Sequence, residues 1–157
     1  MEMEELIKSI TNRYQPACRY LKSAKVINGR KVKGRFIVRD AVHLVGKSLE
    51  HLAAVEIQIC LNQLLMVFIH NLIENGYIKE WGPTKWEDYW GKLSSEHMFI
   101  VEQTTHFNEI LKPNKIFTGV LTLHDEFKSK RGNYHLTLHF DFGEGAHTGT
   151  VRIAFVP

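Results

Sequence analysis

Apolar positions along the chain keep a helical spacing near the start and through the middle, and an alternating spacing elsewhere. Residues 3–13 place Leu6, Ile7 and Ile10 on one side of a short amphipathic helix. From Arg19 to Asp40 the pattern is extended, and Asn28-Gly29 within VINGRKVKGRFIV predicts a tight hairpin. Residues 51–76, HLAAVEIQICLNQLLMVFIHNLIENG, are apolar nearly all round. They contain no proline, and glycine comes only at the end, where a helix stops. At 1.5 Å per residue this helix is about 35–40 Å long. The next stretch, YIKEWGPTKWEDYWGKL, predicts a short helix from near Pro83. Its Trp81, Trp86, Tyr89 and Trp90 suit a satellite of the core, a flap or a subunit contact. MFIVEQTTHF, FTGVLTLHDEF, YHLTLHFDF and TGTVRIAFV all suit strands. The breaks between them, at 112–114, 130–133 and 143–145, are short enough to predict antiparallel hairpins.

A helix that is apolar on every side must be wrapped. A curved antiparallel sheet folded around it is the simplest arrangement, and this is the hot-dog fold, of the α+β class. An open α+β sandwich is the alternative, but it leaves one side of the helix wet. No repeat or linker divides the chain, and 157 residues suit a single domain, 1–157.

Composition narrows the function classes. Hydrophobic residues make up 44%, an ordinary globular share. The net charge of +3 and the lack of a dense basic block argue against nucleic acid as partner. Two small basic groups, Arg30/Lys31/Lys33 and Lys128/Lys130/Arg131, fall at turns. They read as solvated hairpin tips or as a landing site for an acidic carrier or a phosphate. The opening residues, Met1 to Glu5, do not resemble a secretory signal, so a reducing cytoplasm is the expected compartment for Cys18 and Cys60. Glu56, Gln58, Asn62 and Gln63 interrupt the longest apolar run and argue against a membrane span.

Those same residues are the candidate chemistry. Buried polar groups are costly unless paired. Glu56 and Gln63 are seven apart, on nearly one face of the helix, with Cys60 between them. Two readings stay open: a buried network that sets register or an interface, or a Glu56 carboxylate that works as an acid or base. His43, in the loop entering the helix, and His51, at its start, are candidate partners for Glu56. Nine histidines in the chain make some suggestive spacing inevitable, so ordinary loop and helix-start roles stay equally open. His135 and His139, four apart on a strand, stand roughly 13 Å apart and cannot chelate one metal. No zinc, P-loop, dinucleotide or serine-elbow motif is present, so neither a metal nor another cofactor is expected.

The stretches NRYQPACRYL, HLAAVEIQICLNQL and LKPNKIFTGVL together resemble the FcoT family of hot-dog proteins. The resemblance spans about Tyr14 to Pro157. It implies an enzyme acting on fatty acyl thioesters carried by CoA or an acyl carrier protein. The reaction is either thioester hydrolysis or addition of glycine to a 2-enoyl thioester; a non-catalytic acyl-binding subunit is the third class. Carried over residue by residue, Tyr14 is similar to a tyrosine of the family's substrate site, and Asn62 and Gln63 to its central-helix pair. Glu56 is similar to the helix glutamate, and His43 falls near a second site tyrosine. One position and one stretch depart from the pattern: Ala53 stands where the family has an asparagine, and Thr105, His106 and Phe107 replace an arginine-rich stretch. The resemblance implies Glu56 and His43 as the catalytic pair, with Tyr14, His51, Asn62 and Gln63 around the substrate. Backbone amides near His51 to Ala54 would meet the thioester oxygen. It also implies a homodimer or higher homo-oligomer, with the acyl channel between protomers.

Overall fold

A computed structural model describes residues 1–39, 49–77, 86 and 98–156. Helix α1 (Met3–Thr11) buries Leu6, Ile7 and Ile10 as its spacing requires. A short 3-10 turn, Pro16–Cys18, leads into strands β1 (Leu21–Asn28) and β2 (Lys31–Ile37). They meet at the predicted hairpin, where Asn28 pairs with Lys31 and the Asn28 Oδ1 accepts the Arg30 N–H at 2.9 Å. Helix α2 (Ala54–Glu74) follows, then β3 (Met98–Phe107), β4 (Ile116–Lys128), β5 (Tyr134–Phe142) and β6 (His147–Phe155). The strands form one antiparallel 6-stranded sheet in the order β1-β2-β4-β5-β6-β3. The sheet and the long helix against it are the expected hot-dog arrangement.

α2 packs on β1, β2 and β4. The close approach depends on a glycine pair across β2 and β4, Gly34 opposite Gly119. A Cβ on Gly34 would stand 2.9 Å from the Leu64 side chain, so a larger residue would push the helix off the sheet. Every residue from Gln63 to Ile73 is buried. Helix α2 matches a membrane span in length and composition, but 83% of the matching window is buried inside the fold, as befits a core helix.

Three expectations are corrected. The helix starts at Ala54 and not at 51, because the Leu52 N–H is spent on the Leu111 carbonyl at 2.8 Å. It ends at Glu74, and its 21 residues span about 32 Å. The helix is wrapped on all sides only in its second half: Val55, Gln58, Ile59 and Asn62, at helical spacing, form a stripe open to solvent or half-open. β3 and β4 do not form a hairpin. β3 pairs with β6, and β4 lies between β2 and β5, so residues 108–115 cross over the end of the sheet. Backbone pairing decides this: the crossover is anchored on the β5–β6 turn, where the Asn108 and Glu109 N–H groups both donate to the Ala146 carbonyl.

The register also places the two basic turns. β4 runs on past the residue opposite Lys31, so the 28–31 and 128–133 turns share one end of the sheet. The crossover and the start of α2 lie at the other end.

Candidate active site

The start of α2 is unusual because Ala53, at the N-cap, has no side-chain oxygen to cap the first turn. Glu56 supplies half of a capping box: its Oε2 accepts the Ala53 N–H at 2.8 Å. Glu56 is only 1% exposed. The amides of a first helical turn have no partners within the helix and carry its positive dipole end.

An apolar cleft of about 460 Å³ opens beside this turn. One wall is His51, Leu52, Ala53 and Ala54; the other is the crossover, Phe107 to Ile110, with His147. The crossover that sequence patterning took for a hairpin is therefore what builds the second wall. His147, at the first position of β6, is only 2% exposed. Its Nε2 lies 3.0 Å from the Glu109 carbonyl, and its ring packs edge-on against Phe107 at 4.8 Å. Burial lowers its pKa, the Glu109 hydrogen bond opposing in part.

Inward from Glu56 lies a second group of titratable side chains. Tyr20 and Cys60 are both within electrostatic reach of Glu56, and Tyr20 also feels the Cys18 thiol. Burial, then Cys18, and then the charges of Glu56 and Cys60 push the Tyr20 phenol up. Burial, and then the Glu56 charge, hold the Cys60 thiol well above the ordinary thiol range. Tyr20 and Cys60 thus stay protonated at neutral pH beside Glu56.

The residues singled out from sequence fall in different places. His51 lines the cleft, and Glu56 anchors the turn beside it. Gln63 is fully buried, and its amide is committed to the chain before β1. Oε1 accepts the Tyr20 and Leu21 N–H groups at 3.2 and 2.9 Å, and Nε2 donates to the Cys18 carbonyl at 2.6 Å. It thereby holds Tyr20 over the Glu56 region. Asn62 belongs to the half-open stripe: its Oδ1 accepts from Gln58, whose own Oε1 accepts from Gln103 on β3 at 2.7 Å. Tyr14 lies beyond α1, half-buried against the core, and its carbonyl accepts from Arg19 Nε at 3.1 Å. Burial raises its pKa, with Arg13 opposing. His43 lies outside the described residues, as do Trp81, Tyr89 and Trp90. The second wall, with His147, and the buried Tyr20 were not anticipated. Tyr20 could have been found, since it sits in the CRYL segment beside Cys18. His147 carries no sequence signal, being one of nine histidines at the head of an ordinary strand.

Comparison with known proteins agrees with this architecture. The family described as an FcoT-like thioesterase domain matches residues 9–155. A (2E)-enoyl-[ACP] glycyltransferase of Streptomyces coeruleorubidus is 26% identical over 132 residues, covering 82% of this chain and 75% of that protein. Among solved structures, the zebra fish thioesterase superfamily member 2 superposes with a TM-score of 0.58 at 9% identity, over 98% of this chain and 95% of that one. A hypothetical thioesterase from Streptococcus pneumoniae, solved with coenzyme A, gives 0.55 at 7% identity, over 96% of each chain.

Proposed function

The chain belongs to the FcoT-like thioesterase family, and on that premise we propose that it adds glycine, or a similar amine, to C3 of a 2-enoyl thioester. The carrier would be an acyl carrier protein or CoA. The observation that carries this reading is the apolar cleft against the uncapped first turn of α2. Conjugate addition moves negative charge onto the thioester oxygen as the nitrogen bonds C3. Amides at a helix N-terminus stabilise that charge where it develops. The nitrogen then gives up a proton and C2 gains one, so the product is a β-amino acyl thioester with no by-product.

In this reading Glu56 is the base, and Tyr20 and Cys60 are the proton-bearing groups around it. Gln63 positions Tyr20, while Asn62 and Tyr14 contact the acyl chain. Support comes from the relative named a glycyltransferase and from the neighbour that binds coenzyme A. Hydrolysis of the thioester is the second reading, favoured by the family's description as a thioesterase domain. Mass spectrometry separates them after incubation of a 2-enoyl-CoA with enzyme and glycine. A glycine adduct is expected. Free acid, with no adduct, would replace addition by hydrolysis.

A further inference from the structure

The outer face of β1, β2 and β4 carries a row of cations that the proposed reaction does not use. On β2, Val32, Gly34 and Phe36 are buried on the helix side, so Lys31, Lys33 and Arg35 alternate onto the opposite face. Strand pairing sets Lys25 of β1 directly opposite Lys33, and Ser23 opposite Arg35. Arg35 in turn lies opposite Thr118 of β4. Like charges directly opposite each other on neighbouring strands destabilise a sheet. Among the described residues, none of Lys25, Lys33 and Arg35 has an ion pair or side-chain hydrogen bond to offset this. These charges are open to a ligand: Lys25 and Arg35 are exposed, and Lys33 is half-buried.

The cations converge on a hollow of about 390 Å³, lined by Ser23, Ala24, Lys25, Lys33, Arg35 and Thr118. No acid is among these lining residues. Asp141 shares the face but stands two strands from Lys33, and its Oδ1 accepts the Gly145 N–H at 2.7 Å. Glu144 is in the β5–β6 turn, and Asp125 and Glu126 lie on β4 beyond the residue opposite Lys31. The space is of the size that takes a small organic ligand. Its donors match a phosphate better than a carboxylate. Two ammonium groups, a guanidinium fork and two hydroxyls can serve three or four oxygens and a double negative charge.

We propose that this face is a phosphate seat, in which Lys25, Lys33 and Arg35 bind a phosphate dianion and Ser23 and Thr118 donate to its remaining oxygens. The bound anion offsets the Lys25–Lys33 repulsion. The seat is separate from the cleft at the start of α2 and stands whichever reaction runs there. A free phosphate ion and a phosphate borne on a nucleotide share this chemistry, and titration separates them.

Calorimetric titration at about 0.15 M salt, where charges more than about 8 Å apart are largely screened, tests the seat. The probes are inorganic phosphate, the adenosine bisphosphate portion of CoA, and acetate. Wild type should bind both phosphates saturably and acetate much more weakly. Tighter binding of the bisphosphate assigns the seat to a nucleotide-borne phosphate, and equal binding to the free ion. Lys33→Gln should weaken phosphate binding about tenfold, the worth of one charge-assisted hydrogen bond. Lys128→Gln removes the same charge roughly 25 Å away along β4 and should leave affinity unchanged. Without phosphate, Lys33→Gln should melt at or above wild type, because the like-charge pair is gone. Added phosphate should raise the melting temperature of wild type but not of this variant. Should Lys33→Gln melt well below wild type, Lys25→Gln, at an exposed position on the edge strand, carries the same comparison. Absence of saturable phosphate binding, acetate binding as tight as phosphate, or equal losses in Lys33→Gln and Lys128→Gln would each overturn the inference.

Discussion

Glu56, Gln63 and Asn62 show how differently three polar residues on one helix can be used. Gln63 is an internal clamp, every polar atom of its amide engaged by backbone. Gln63→Leu would leave the Leu21 N–H without its partner and the Tyr20 N–H and Cys18 carbonyl with only their own 3.1 Å contact. It should cost roughly 1–3 kcal/mol by denaturant titration, the cost of one buried group left without a partner. Asn62 shares one hydrogen bond with half-buried Gln58. Asn62→Ala should therefore cost less than about 1 kcal/mol but lower turnover, and unchanged turnover would remove it from the site. Glu56 combines a structural bond with the proposed chemistry, and Glu56→Gln separates the two. The glutamine oxygen can still accept the Ala53 N–H, so the melting temperature should hardly move. Glutamine cannot take a proton at neutral pH, so kcat should fall about 10²–10⁴-fold with binding of an unreactive acyl thioester retained. More than about a tenth of normal turnover would contradict the assignment of Glu56 as base.

At the scale of elements, the cleft exists because a helix start and a crossover meet. α2 begins with an alanine where serine, threonine, aspartate or asparagine is favoured. Among the described residues, the Glu56 bond and the Leu52–Leu111 pairing just before it hold its first turn. Ala53→Ser would complete the capping box and should raise stability by about 0.5–2 kcal/mol, read as a higher midpoint in urea. If the new hydroxyl draws on the amides of the turn, activity should fall as stability rises. That exchange would be direct support for those amides meeting the substrate. An unchanged midpoint would mean that the first turn is already satisfied by other groups.

At the scale of the molecule, β3 carries the longest run of exposed apolar side chains among the described residues. β3 is one of the sheet's two edge strands, and its Phe99, Ile100 and Val101 are each more than two-fifths exposed. Val55 on α2 adds to this surface. A long apolar edge left unpaired invites aggregation, and natural sheets cover or charge it. A second copy of the chain, paired through β3, would cover both strand and stripe and bring the Asn62–Gln58–Gln103 network to a shared boundary. A homodimer at micromolar concentration is therefore expected in sedimentation, with Val101→Lys shifting it toward monomer. A stable wild-type monomer would remove this arrangement.

Local pattern alone determined the elements. Helical spacing marked α1 and the body of α2, alternation marked the strands, and Asn28-Gly29 marked the first hairpin, because these signals depend on a residue's near neighbours. The helix polar residues were legible for the same reason, since polar atoms in an apolar run stand out without any partner in view. Their partners were not. Whether Gln63 clamps backbone or faces a substrate depends on residues 18–21, more than forty positions away. The path of residues 108–115 depends on which strand β3 pairs with, and short breaks look alike whether they turn a hairpin or cross a sheet end. Tertiary pairing alone brought that crossover, and His147 with it, opposite the start of α2. Long-range hydrogen bonding, which leaves no periodic trace in sequence, made the cleft.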